Sequence, residues 1–130
     1  MIDLEALHSA WCRETASPTS ACEARSVGDP RGQCAVTALL IQDLLGGDIM
    51  RAEVQDYTGT VFGSNYWNLI PGMGWIDMTR TQFADSFLMA NAEVVQRARL
   101  LESAGAVAAR TPERYRLLKE RYAAARRARW

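Results

Sequence analysis

The stretch Gly32-Gln33-Cys34-Ala35-Val36-Thr37-Ala38-Leu39-Leu40-Ile41-Gln42-Asp43-Leu44-Leu45-Gly46-Gly47 decides how this chain is read. Pro30 and Gly32 form a turn signal, apolar residues recur at helical spacing from Ala35 to Leu45, and Gly46-Gly47 supplies a stop. Cys34 therefore stands at or just before a helix N-terminus. Unpaired backbone N–H groups and the positive end of the helix dipole favour a thiolate there, which predicts a lowered pKa and a nucleophilic sulfur at neutral pH. Gln33, directly before it, offers an amide donor for a developing oxyanion. The bland alternative is a small apolar residue packed in the core, the commoner fate of a lone cysteine.

Downstream of this helix, Asp48 to Tyr57 has the alternation of a strand and Gly59 marks a turn. Thr60 to Ile70 is aromatic and β-branched, broken by Gly63, and Trp75 to Thr79 gives a third strand beyond the turn at Pro71-Gly72. Such a meander pairs Asn65 with Asp77 across neighbouring strands, and packs the start of the Cys34 helix against the sheet so that it faces them. Tyr66, Trp67 and Trp75 are expected first as core aromatics. Tyr66, Trp67 and Asn68 are the candidates for contacting a substrate or ligand.

Upstream, Ala16 to Arg31 changes to Ser, Thr, Pro, Gly and charge without periodicity, as expected of a long surface loop that feeds Cys34 and forms one wall of a cleft. Ile2 to about Glu14 is expected to be an amphipathic helix with Leu4, Leu7 and Trp11 on one face, Trp11 serving as a core anchor. Ala84 to Ala109 is expected to be a loop followed by a short regular element, with Val94 to Leu101 either a helix or a return strand. Thr111 caps a final helix with Pro112 at its first position and Glu113 in its first turn. Tyr115, Leu118 and Tyr122 form its docking face, and Arg126, Arg127 and Arg129 complement the negative end of its dipole.

Composition bounds the function. With 130 residues, 48% of them apolar, and zero formal net charge, residues 1–130 make a single domain with a real core. Nothing in the overall charge argues for nucleic acid or a membrane surface as a partner. The acidic start Met1-Ile2-Asp3-Leu4-Glu5 lacks the apolar segment of a signal peptide, and a cytoplasmic location is expected. Three cysteines without CxxC spacing argue against a disulfide framework. His8, the only imidazole, would share a helix face with Cys12, but two ligands fall short of a structural zinc site. Gly46-Gly47 and Gly72-x-Gly74 are turns, not nucleotide cradles, and neither a cofactor nor a metal is expected.

Taken together, Gly32-Gln33-Cys34, Tyr66-Trp67-Asn68 and the group Trp75, Asp77 and Thr79 resemble the papain-like fold in its transglutaminase-like form. There Gly-Gln-Cys opens a helix, His-x-Trp-Asn opens a strand, and an Asp on the next strand orients the histidine. A second resemblance covers nearly the whole chain. Trp11, Glu14-Thr15, Gly32 to Leu39, Gln42-Asp43, Gly46-Gly47, Tyr66-Trp67-Asn68, Asp77, Thr79-Arg80 and Gln82-Phe83 are similar to the small bacterial YunG-like proteins. These resemblances imply an α+β, papain-like domain in which a central helix carries Cys34 against a small antiparallel sheet, with helices at both ends.

They also imply Cys34 as nucleophile, Gln33 as oxyanion donor and Asp77 as the residue that orients the base. The position of the base itself is Asn65. An amide does not titrate in water, so Asn65 can hold Asp77 or a ligand but cannot take a proton from a thiol. Loss of one member of such a unit costs several orders of magnitude in turnover. Two functions are therefore expected: a cysteine amidase or acyltransferase with weak or absent turnover, or a pseudoenzyme that uses the same cleft to hold a small amide, acyl or peptide ligand.

Overall fold

A computed structural model describes residues 1–18, 27–83 and 85–129. Helix α1 (Leu4–Ala10) starts where the Asp3 carboxylate accepts the Ala6 N–H, and helix α2 (Cys34–Leu45) runs from Gln33 to Gly46. Strands β1 (Asp48–Gln55), β2 (Val61–Ile70), β3 (Gly74–Ile76) and β4 (Leu88–Val95) follow. Helices α3 (Arg97–Glu102), α4 (Ala104–Ala108) and α5 (Thr111–Arg129) close the chain. The described residues thus form an α+β fold, with one four-stranded antiparallel sheet of order β3-β2-β1-β4.

The turn after α2 shows why the sequence needs glycine there. Gly47 has φ +81°, and a Cβ on it would stand 2.3 Å from the Leu69 carbonyl oxygen. Any other residue would push β1 away from β2. From this turn the register Ile49↔Asn68, Arg51↔Tyr66 and Glu53↔Ser64 sets which side chains face the helices. Strand alternation puts Ser64, Tyr66 and Asn68 on the α2 side, where the Asn68 amide donates to the Ala38 carbonyl at 2.9 Å. Asn65 and Trp67 consequently leave β2 on the opposite face, paired with Ala52 and Met50.

Two apolar clusters follow from that division. The larger one packs α1, α2 and α5 on the sheet through Leu7, Trp11, Leu39, Ile49 and Leu118, all buried. Trp11 anchors it as expected and donates its indole N–H to the Thr37 hydroxyl at 2.9 Å. The smaller cluster, on the other face, joins Met50, Ala52 and Trp67.

Several expectations need correction. The N-terminal helix ends at Ala10, because Trp11 turns to extended backbone; residues Arg13–Thr15 form a separate 3-10 turn. His8 and Cys12 therefore do not share a helical face. The segment after Gln82 is not mainly loop: its apolar residues build β4, which pairs with β1 as far as Val95, and Arg97 onward is helical. Strand pairing with β1 decided this, and no local pattern announced it. Trp75 is 64% exposed instead of being a core aromatic. Of the expected loop Ala16 to Arg31, residues 19–26 lie outside the described residues, Cys22 among them. Among the described residues no helix is long and apolar enough to cross a membrane.

Candidate functional site around Cys34

Cys34 opens α2 as the spacing predicted, and its sulfur lies against the backbone of β2, 4.0 Å from the Ser64 carbonyl oxygen. β3 pairs with β2 only from Asn68 to Ile70, so β2 is an open edge at Ser64 and Tyr66. The sulfur occupies that edge. Burial pushes the Cys34 thiol up from its ordinary value, and the nearby Asp77 carboxylate adds to this. The Tyr66 and Ala35 backbone N–H groups, together with Arg114, pull the other way without prevailing.

The lowered pKa expected for Cys34 is therefore overturned, and magnitudes explain why. A helix terminus contributes about 0.3–1 kcal/mol, less than one pKa unit, and the withdrawal of the sulfur from water outweighs it. At neutral pH the sulfur is a thiol.

Asn65 and Asp77 do come together. The Asn65 amide donates to an Asp77 carboxylate oxygen at 2.7 Å, while Thr79 donates to the other oxygen through its backbone N–H at 3.2 Å. Burial pushes the Asp77 carboxyl up, and the Asn65 and Thr79 donors oppose it. From Thr79 a chain of polar contacts returns to α2: Gln82 donates to the Thr79 hydroxyl at 3.1 Å and accepts the Gly32 N–H at 3.1 Å. The turn after β3 is thus tied to the residues that precede Cys34.

The remaining expected site residues are engaged in the fold. Gln33 is fully buried, and its amide N–H donates to the Cys12 carbonyl at 2.9 Å, while its oxygen lies 2.8 Å from the Thr15 hydroxyl. It joins α2 to the 3-10 turn and is not presented as an oxyanion donor. Asn68 is held by Ala38, and Trp67 meets Trp75 edge-on at 5.7 Å between ring centroids. His8 stacks beside Trp11, 5.1 Å between ring centroids, as one side of a structural pair.

Cys34 borders a cavity of about 600 Å³. Tyr66 is the other expected residue on its wall; Gln33, Asn65, Asp77, Trp67, Asn68 and His8 are not on it. The wall instead carries Arg51, Arg99 and Arg114 together with Phe62 and Phe87, none of which the sequence pattern singled out. One signal existed for Arg114: it falls on the same face of α5 as Thr111, Tyr115 and Leu118, a charge inside an apolar stripe. Among the described residues no group of three or more His, Cys, Asp or Glu is placed to hold a metal ion.

The model of the YunG protein family matches residues 3–127. The chain belongs to the YunG family. No curated protein and no solved structure matches it. Within the matched span, the segments around Cys34 are tied together by Trp11 on Thr37, Thr15 on Gln33, Asn68 on α2, and Thr79 with Gln82 on Gly32.

Proposed function

We propose that this YunG-family chain keeps a papain-like, transglutaminase-like arrangement around Cys34 but uses the cleft to hold a ligand, with amide hydrolysis or acyl transfer weak or absent. The observation that carries this reading is the Asn65–Asp77 contact of 2.7 Å, with the Asp77 carboxylate near enough to the Cys34 thiol to help raise its pKa. In a cysteine hydrolase the position of Asn65 belongs to an imidazole, which removes the thiol proton and leaves a thiolate–imidazolium pair. An asparagine preserves the bond to Asp77 and abolishes the proton transfer. The ligand class inherited from that ancestry is an amide, acyl or peptide compound.

Restoring the base tests the reading. Asn65→His is expected to raise the rate of Cys34 alkylation by iodoacetamide at pH 7 by roughly tenfold or more, since an imidazole beside the thiol both accepts its proton and stabilises the anion. Intact-mass spectrometry with Cys34→Ala as the control reads the site of labelling. An unchanged rate in a folded Asn65→His protein rejects the inherited geometry and leaves Cys34 as a packing residue.

A further inference from the structure

The cavity beside Cys34 has a charge imbalance that the reading above does not use. Among the described residues its wall carries three guanidinium groups, on Arg51, Arg99 and Arg114, and no Asp or Glu. Arg51 and Arg99 share a single carboxylate, Glu93, at 3.7 and 3.3 Å. Arg114 has no carboxylate within ion-pair distance among the described residues, although it is only 6% exposed. Its three nitrogens donate to the Ala109 carbonyl at 2.9 Å, the Thr15 carbonyl at 2.9 Å and the Thr111 hydroxyl at 3.1 Å. A guanidinium has five N–H donors, so two remain unassigned. Buried charges are ordinarily paired, and one that lines a cavity without a counter-ion is out of balance until an anion enters.

The rest of the wall describes the other end of such an anion. Phe62 and Phe87 meet edge-on with centroids 5.3 Å apart, and Val54, Leu100 and Ala106 continue the apolar lining. A fixed planar fork at one place and aromatic rings at another suit a molecule with a carboxylate head and an apolar body.

We propose that this cavity binds a small organic carboxylate, its head received by Arg114 beside Cys34 and its apolar part lying against Phe62 and Phe87. The inference rests on reading the cleft as a ligand site, and it narrows the ligand from any amide or acyl compound to one bearing a carboxylate. Burial pushes Arg114 down to about 10, so it remains a cation at neutral pH. Arg51 and Arg99 add long-range attraction that salt screens, while the contact with Arg114 is screened less.

The probe is 4-phenylbutyrate against its neutral isostere 4-phenylbutanamide, titrated by NMR into the full chain. The acid is expected to bind roughly tenfold or more tightly than the amide, because a charge-assisted bidentate contact is lost in the latter. Arg114→Met is expected to erase that preference. Since Arg114 also holds the Thr15 and Ala109 carbonyls, that variant can lose its fold; the double variant Arg51→Gln, Arg99→Gln leaves those bonds intact and is expected to weaken the acid roughly threefold at low salt. Equal affinity for acid and amide, or no saturable binding of either, overturns the proposal. Repeating the titration in Cys34→Ala separates it from the cysteine-hydrolase reading: acid preference kept there, with an unresponsive thiol in Asn65→His, retains the carboxylate site and rejects the ancestry. A responsive thiol without acid preference does the reverse.

Discussion

Two buried amide side chains, Gln33 directly before α2 and Asn65 on β2, have surroundings that differ. Gln33 belongs to a closed ring: the Cys12 N–H donates to the Thr15 hydroxyl, that hydroxyl lies within donating distance of both the Gln33 oxygen and the Cys12 carbonyl, and the Gln33 N–H returns to the Cys12 carbonyl. Asn65 is equally buried, yet only its NH2 group is engaged, on Asp77; its Oδ1 has no hydrogen-bond partner among the described residues. A buried amide with both ends satisfied holds a structure together. One that leaves an acceptor unpaired costs free energy. The difference separates scaffold from site more clearly than the residue types do.

The largest effect that would sharpen this contrast is on stability. Gln33→Ala opens a cavity and strands polar atoms of Cys12 and Thr15, so it is expected to cost about 3 kcal/mol, seen as a fall in Tm of roughly 10 °C. A loss below about 1 kcal/mol would mean that the ring contributes little beyond its geometry.

Next in size is the pH response of the thiol. Because burial raises the Cys34 pKa above its ordinary value, the thiolate fraction at neutral pH is small and grows with every step upward. Alkylation of Cys34 is expected to climb roughly tenfold per unit from pH 7 to pH 9 without levelling. A plateau below pH 8 would show that the helix terminus outweighs burial, contrary to the cause given above.

The smallest effect concerns Asn65 itself. Asn65→Ala removes a donor from Asp77 but also removes the unpaired Oδ1, and these oppose one another, so the net cost is expected to be about 1 kcal/mol. Urea unfolding of the two alanine variants side by side decides the comparison: equal losses at Gln33 and Asn65 would erase the distinction drawn between them.

The legibility of the chain followed the range of the interactions involved. The central helix was readable almost to the residue, since the glycine pair beyond Leu45 and the apolar spacing are local signals. The same holds for the hairpin of β1 and β2 and for the final helix. β4 was not readable, because a strand with mostly exposed side chains acquires its identity from the backbone of β1. At the site, the pairing of Asn65 with Asp77 could be placed from motif order alone. The Arg-lined wall could not, since Arg51, Arg99 and Arg114 come from β1, α3 and α5.

What the letters alone determined is the local grammar: where α2 begins and that Cys34 opens it. Tertiary structure decided the rest. It turned Gln33 inward, put Tyr66 rather than Asn65 on the α2 side of the sheet, and raised a pKa that the helix terminus by itself would lower. The physical reason is that helix starts and turns are fixed by neighbours a few residues away, whereas burial, face and charge balance depend on segments far apart in the chain.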